Sequence, residues 1–497
     1  MSSDPSSADE PSPPEGSRAL DASGAVGSGP DAGLAPTFAA PRRLHVAAAV
    51  SNAVLALRGL AFPLLAVVFV GGSGGGGLGR AATFAALGAL FSLATGIVTW
   101  RATSYQLTSG ALRLRSGVFS PDDTVVPVAR IQAIDTVEGP VQRMFGALEL
   151  HVQTPGGGAD GEIVLTAVSP ADARALRAAL GHAEPAAPSA RRRLGAGALL
   201  LAALTAPQFS IVLPVVGAAF AGADDLLGDV IDEDLFAKID NPKELAVVLA
   251  LLFAATFLVS FLAAIVAFAG FEVERDGDRL RIRRGLLQRR AASVPVARVD
   301  GVAVVEGLLR APFGLATVRL ETAGYAKEQA AARTLFPLVR TRDVPALLAE
   351  LVPGLDGSPP ALQPPPARSL RRYVLPPALA GAAVGAGIAL AFGGALVWLA
   401  LPALVLPGAL HGLLAYRAAG LHLGADQIVL RARRGTARVT LLARRRRLQE
   451  VSVRRNPLQR RARLATFALA LGSGRRGRVR HLEAASADAA QAALRSA

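Results

Sequence analysis

The sequence predicts an α-helical membrane protein carrying three small β modules: six membrane-spanning helices in three hairpins, each hairpin followed by a β-barrel or bent sandwich with a C-terminal helix. Three observations predict it. Six apolar stretches occur in pairs along a chain of 497 residues that is 52% hydrophobic. Each pair is followed by a strand-patterned segment of roughly 80 residues that ends in a short helix. The first two of these segments align without a gap: Leu112, Arg113, Leu114 and Gly117 match Leu280, Arg281, Ile282 and Gly285 at a constant spacing of 168. A repeat of this length sets the architecture before any single element does.

Residues 1–41 are rich in Ser, Pro, Gly, Ala and Asp without apolar periodicity, the composition of a disordered acidic tail. They lack the basic start and apolar core of a signal peptide. The first hairpin, 42–100, holds apolar stretches at 52–71 and 81–100. The second, 194–270, holds stretches at 194–220 and 245–270, joined by an acidic external loop at 221–244. A Pro-rich linker, 355–372, leads to the third hairpin, 373–416, with stretches at 373–392 and 395–416. A bilayer core about 30 Å thick needs about 20 apolar residues in helix, and every stretch approaches that length. Arg58 interrupts the first stretch; either it snorkels to the interface, or His45 to Leu57 forms an interfacial helix ahead of the span. No Asp or Glu lies within the six stretches, which argues against a proton relay or a coupled transporter. Pro207, Pro214, Pro376, Pro377, Pro402 and Pro407 read as kinks and packing sites.

The formal net charge is +15, and of the basic residues only Lys238, Lys243 and Lys327 are lysines. Arginines flank the stretches on the module side: Arg42 and Arg43, Arg101, Arg191 to Arg193, Arg275 and Arg279, Arg368, Arg371 and Arg372, and Arg417. The opposite loops are glycine-rich or, from Asp224 to Glu244, carry eight acidic residues and two lysines. Positive charge collects in cytoplasmic loops, so both termini and all three modules are expected in the cytoplasm.

Module 1 covers 101–183, module 2 covers 271–354 and module 3 covers 417–497. In module 1 short apolar runs at 105–107, 111–115, 123–128, 131–137, 148–152 and 162–165 read as strands, punctuated by Gly110, Gly117 and a loop at Gly156 to Gly158. Ser169-Pro170-Ala171-Asp172 then starts a helix, with Ser as cap, Pro at the first position and an acid in the first turn. Asp343 is the corresponding cap in module 2, and module 3 ends in a helix from Ser486 to Arg495.

Several repeated residues invite a role. Gly117 and Gly285 suit a turn needing positive φ. Pro127 and Pro295 repeat beside Arg130 and Arg298. Those arginines reach either their own module's carbonyls or a headgroup or protein partner. Phe145-Gly146 and Phe313-Gly314 read as a buried ring beside a turn. Module 3 diverges: Phe-Gly becomes Ala462-Arg463, which removes the glycine basis for that turn. It also gains the run Arg444, Arg445, Arg446 and Arg447. Basic clusters near a cytoplasmic leaflet attract anionic lipid at about 1 kcal/mol per residue, so the run is a candidate anionic-lipid contact. The alternative is a solvated face that sets orientation. No aromatics are interleaved to stack bases, so no nucleic acid is expected.

Gly117-Val118-Phe119, Val126 to Gln132 and Val141 to Gly146, with Gly285-Leu286-Leu287, Val294 to Val299 and Leu309 to Gly314, resemble the bacterial pleckstrin-homology (PH) domain of the YdbS/YdbT-like membrane protein family. Arg43-Leu44-His45 is similar to that family's entry into its first helix. The resemblance covers residues 42–497. It implies three PH-like domains alternating with helix pairs in a bacterial cytoplasmic membrane, a link to antimicrobial-peptide resistance or envelope stress, and no catalytic residues. It also implies a smaller one-module membrane protein of the same family as a partner.

Enzymatic chemistry finds little support. The chain has no cysteine, which excludes disulfides, thiolate nucleophiles and Cys-based zinc sites. The histidines at 45, 151, 182, 411, 422 and 481 show no metal-ligand spacing. Gly72 to Gly77 lacks the Lys-Ser/Thr of a phosphate loop. No cofactor or metal is expected. The expected function is a non-enzymatic membrane scaffold or binding protein. The alternatives are a lipid-handling protein that binds anionic headgroups and a component of an export complex.

Overall fold

The computed structural model describes residues 38–70, 77–108, 110–118, 120–131, 133–154, 163–181, 189–205, 242–322, 334–358, 361–392 and 396–495. The expected tail as far as residue 37, the glycine loops at 71–76 and 156–158, the third apolar stretch beyond residue 205 and the acidic loop as far as residue 241 lie outside the described residues.

The first unit opens with a short strand, β1 (Arg42–Arg43), and passes through two long helices, α1 (Ala47–Val70) and α2 (Gly77–Ala102). It returns as β2 (Ser104–Thr108), β3 (Ala111–Ser116) and β4 (Asp122–Pro127). Then follow β5 (Ala133–Glu138), a short helix α3 (Pro140–Met144), β6 (Leu148–Gln153), β7 (Ile163–Val168) and α4 (Pro170–Ala179). The Ser169 side chain accepts from the Asp172 N–H at 3.1 Å and so caps α4. Asp172 in turn receives Arg42 at 2.7 Å, which ties the strand entering the helices to the helix closing the module.

The second unit repeats this order: β8 (Ala190–Arg193), α5 (Ala196–Leu204), α6 (Pro242–Phe268), β9 (Glu272–Asp276), β10 (Arg279–Arg284), β11 (Arg289–Pro295), β12 (Val299–Glu306), β13 (Leu315–Thr322), β14 (Thr334–Arg340) and α7 (Val344–Leu351). The third comprises α8 (Leu370–Phe392), α9 (Leu396–Ala418), β15 (Gly420–Leu423), β16 (Gln427–Arg434), β17 (Ala437–Arg444), β18 (Leu448–Arg454), α10 (Pro457–Arg461), β19 (Leu464–Leu471), β20 (Arg476–Glu483) and α11 (Ala484–Arg495). In every unit the segment entering the helix pair is laced to the strand leaving it. β1 pairs β2, β8 pairs β9, and a single bridge joins Gln363 to Leu421.

The sheets cross the module boundaries. β5 of module 1 pairs with β11 of module 2, giving a seven-stranded sheet in the order β7-β6-β5-β11-β10-β9-β8. β12 of module 2 pairs with β17 of module 3, giving the six-stranded order β14-β13-β12-β17-β16-β15. Side chains alternate across a strand, and β12 uses both faces. Val302 and Val304 join the core of module 2, whereas Ala303 joins that of module 3. β17 does the reverse, sending Leu442 into the core of module 2 and Leu441 and Ala443 into its own. The four-stranded sheet β1-β2-β3-β4 and the three-stranded sheet β18-β19-β20 stand at the two ends.

Three expectations are corrected. Six membrane-crossing helices in three hairpins are not what the structure shows. Among the described residues one helical segment, Ala82–Ala102, is long and apolar enough to cross a bilayer. Shorter apolar stretches lie at Ala47–Leu57 and at Phe253–Phe268. The third pair carries Pro376, Pro377, Pro402 and Pro407 within its helices. Nor are the modules separately closed barrels, because their strands hydrogen-bond across both junctions. The tail also ends earlier than expected. Phe38 is buried in the core of module 1, with the Arg42 guanidinium 5.1 Å from its ring centre.

Candidate anion-binding site in the third module

The arginine run lies at the junction of modules 2 and 3. Arg444 is buried and donates to the Pro353 carbonyl at 2.9 Å and the Val296 carbonyl at 3.4 Å, both in module 2. Arg447 donates to the Ala297 carbonyl at 2.5 Å. Arg445 donates to Ala425 O at 3.1 Å and to Ala493 O at 2.6 Å, within module 3. Three of the four guanidiniums therefore bind protein carbonyls, and Arg446 is exposed.

The repeated residues are placed as follows. Gly117 and Gly285 have φ of +98° and +104°, and a Cβ on either would lie 2.1 Å from a carbonyl oxygen, of Ser120 or Gln288. Pro127 and Pro295 close their strands ahead of a single 3-10 turn holding Arg130 and Arg298. Arg130 is exposed. Gly146 and Gly314 sit at φ +60° and +61°, and Arg463 takes the same left-handed conformation at φ 52°, so the turn persists without glycine. The rings beside it are not buried: Phe145 is 42% exposed and Phe313 is 73% exposed.

A cationic cavity of about 1040 Å³ opens beside α8 and α9 against the outer face of β18, β19 and β20. Eight arginines line it (372, 433, 434, 454, 475, 476, 478 and 480) against two carboxylates, Glu321 and Glu450. Arg475 meets Glu321 at 3.4 Å. Among the described residues Arg476, Arg478 and Arg480 make no ion pair. Local sequence explains their placement. In Arg476-Gly477-Arg478-Val479-Arg480 the arginines alternate with residues that turn inward, where Val479 is fully buried. A bulge in β20, where Arg480 and His481 together face Thr466 alone, then takes them out of register, and His481 adopts φ 56°.

The electrostatics favour an anion. Burial, with Arg475 and Arg478 nearby, holds the Arg434 guanidinium below its usual value. Burial and Arg438 do the same to Arg433, whose buried Nε has no hydrogen-bond partner. Burial, with Arg372 and Arg480 beside it, pulls His481 down to about 4. Gln459 Nε2 lies 3.0 Å from His481 Nδ1 and donates to it, which leaves the ring proton on Nε2. The ring packs edge-on to Tyr373 at 5.2 Å, and the Tyr373 hydroxyl donates to the Arg480 carbonyl. Several cations thus converge in excess of the two carboxylates, in a setting where a multivalent oxyanion would accept charge-assisted hydrogen bonds. A second cationic cavity of about 580 Å³ lies at the junction of modules 1 and 2, lined by Arg283, Arg284, Arg289 and Arg290 among others. Among the described residues no cluster of three or more His, Asp or Glu could hold a metal ion.

Sequence reasoning missed this cavity because it looked for runs of like charge. The signal was the period-two spacing of Arg476, Arg478 and Arg480.

Comparison with known proteins agrees with this repeated architecture. The family described as "Bacterial PH domain" matches three times, over residues 53–184, 198–352 and 374–497. The chain is 25% identical over 469 residues to the UPF0699 transmembrane protein YdbT of Bacillus subtilis strain 168, covering 87% of this chain and 93% of that relative. No solved structure matches.

Proposed function

Because this chain belongs to the bacterial PH domain family, we propose that it is a non-enzymatic membrane-bound scaffold whose third module binds a phosphate-bearing lipid headgroup. The observation that carries this reading is the excess of eight arginines over two glutamates around one cavity. Its position supports a lipid source for the anion. The cavity is lined by Arg372, Tyr373 and Pro376 at the start of α8 and by His411 and Ala415 near the end of α9. The same helices expose Leu379, Leu406 and Leu410, an apolar surface that is costly to leave in water. The relative's designation as a transmembrane protein and the apolar segment Ala82–Ala102 favour a membrane location. Arg101 at the module end of α2 favours the modules lying on the cytoplasmic side. A scaffold that reads headgroup charge would suit a role in envelope stress.

The test uses the full chain in nanodiscs of neutral lipid alone, or with one-third phosphatidylglycerol, with free glycerol phosphate offered separately. The expected result is retention of anionic lipid by the wild type and its loss in an Arg478→Ala/Arg480→Ala variant. Equal retention by both proteins overturns the headgroup site, and saturation by glycerol phosphate alone reassigns it to a soluble anion. A periplasmic readout from a reporter fused after Ala497 overturns the orientation.

A further inference from the structure

The junctions leave two strand edges open. Each module lends the first strand of its second sheet to the next module: β5 to β11, and β12 to β17. In module 1, the first of the three, β4 is the counterpart of β11 and β17, and among the described residues it pairs only with β3. In module 3, the last of the three, β18 is the counterpart of β5 and β12, and among the described residues it pairs only with β19. Exposure follows. At the position held by Leu442 in β17, which is 2% exposed, β4 carries Val125 at 52%.

The charges at these edges are reversed relative to the internal junctions. Glu138 stands opposite Arg289, and Glu306 stands opposite Arg438, with which it forms an ion pair. In both cases the lending strand ends in Glu, opposite an Arg at or next to the start of the receiving strand. At the open ends the lending strand β18 runs into Arg454 and Arg455, and the receiving strand β4 begins with Asp122 and Asp123. Continuing the register of β12 on β17 to β18 on β4 sets Arg454 opposite Asp122, Ser452 opposite Thr124 and Val451 opposite Val125. Among the described residues neither Asp122 nor Arg454 makes an ion pair.

We infer that β18 of one molecule pairs with β4 of a second copy of this chain, so that the protein assembles head to tail and the module array continues from molecule to molecule. Two features carry this. The contact is the continuation of an edge pairing that the chain already makes twice internally. Its charges are complementary between the two ends, Arg454 against Asp122, and mismatched at the internal junctions: in the same register Arg454 would meet Arg290 of β11 or Val439 of β17, Arg455 would meet Arg289 or Arg438, and Asp122 would meet Val137 or Val305. Such mismatches keep modules in order while leaving the ends specific for each other. A contact between different surface patches of identical molecules closes into a ring or extends as a filament.

The test measures mass distributions of the full chain in detergent and in nanodiscs. The wild type is expected to associate as concentration rises. Asp122→Arg and Arg454→Asp should each weaken self-association about tenfold or more, because each variant then bears like charges at its two ends. Mixing the two variants should restore association, since every contact between them is again of opposite sign; a merely misfolded variant would not recover. The native chain has no cysteine, so Thr124→Cys and Ser452→Cys, carried on separate chains, should give an intermolecular disulfide on mixing and none with either alone. A wild type that stays monomeric at every concentration, charge variants that associate as the wild type does, or a mixture that stays dissociated overturns the inference. So does a monomer whose Asp122 or Arg454 edge is occupied stoichiometrically by a different protein.

Discussion

Arg310 donates from Nη2 to the carbonyl of Ala202 in α5, 2.9 Å away. Its Nη1 donates to the Pro337 carbonyl at 3.1 Å, and its Nε donates to the Thr205 hydroxyl at 2.9 Å. One buried guanidinium therefore joins module 2 to the helix entering it, and burial holds it down to about 10. The equivalent positions are Gln142, which donates to the Ser51 hydroxyl of α1 at 3.2 Å, and Gln459, which donates to Thr466 at 2.9 Å. Removing a buried charged donor leaves its acceptors unsatisfied at about 1.5–3 kcal/mol. Arg310→Ala should accordingly lower the thermal midpoint of the full chain. Arg310→Lys should fail to restore it, because an ammonium cannot span the same fork. Retention of the wild-type midpoint in either variant contradicts the assignment.

The junction of modules 2 and 3 depends on a close backbone approach at Gly301. A Cβ there would lie 2.5 Å from the Leu442 carbonyl oxygen and 3.1 Å from Ala443 Cα. Neither atom is the end of a flexible side chain, so β12 and β17 must separate. Gly301→Ala should cost on the order of 1–3 kcal/mol, the range for overpacking, and should open the junction to limited proteolysis while leaving the distant junction of β5 with β11 protected. Cleavage kinetics like those of the wild type would show that the strands accommodate the methyl group.

The repeat made three modules legible, because turn glycines at constant spacing are local facts of the chain. The shared sheets were not legible. Val302 and Ala303 look alike in sequence, and only the partner strand β17 decides that one faces module 2 and the other module 3. The arginine run was visible, but its bonding to Val296, Ala297 and Pro353 follows from a junction that sequence periodicity does not encode. The position of Arg310, Gln142 and Gln459 was hidden for a different reason: its polar chemistry repeats while its residue identity does not. Ring burial at Phe145 was inferred from residue type, whereas exposure depends on which neighbours α3 meets.

His481 should make stability depend on pH. Its folded value of about 4 lies below the ordinary 6.5, so between those values the unfolded chain binds a proton that the folded chain does not. Stability therefore falls as pH drops below about 6.5, and the loss is complete below about 4. The ring is half-buried, and solvent screening reduces the effect to on the order of 1–2 kcal/mol. His481→Asn removes the titration and tolerates left-handed backbone. The difference in unfolding free energy between wild type and variant should shift across this window and stay constant above pH 7. Parallel profiles would remove His481 as the source.

Arg463 holds a turn that its two counterparts build with glycine. Its φ of 52° matches Gly146 at 60° and Gly314 at 61°. The conformation is anchored on both sides: the Arg463 N–H donates to Arg460 O at 3.1 Å, and its carbonyl accepts from Ala484 N–H at 3.0 Å, at the start of α11. A non-glycine residue pays roughly 1–2 kcal/mol to adopt this region, while glycine loses more backbone entropy on folding, by about 0.5–1 kcal/mol. The first effect is the larger, so Arg463→Gly should stabilise the protein by somewhat under 1 kcal/mol and Gly314→Ala should destabilise it. Nothing lies within 4 Å of a Cβ at Gly314 except the Thr341 hydroxyl at 3.6 Å, so the effect there is conformational and not a clash. Denaturant midpoints of both variants check the pair. A drop in stability for Arg463→Gly would mean that the side chain itself, and not the backbone angle, decides the turn.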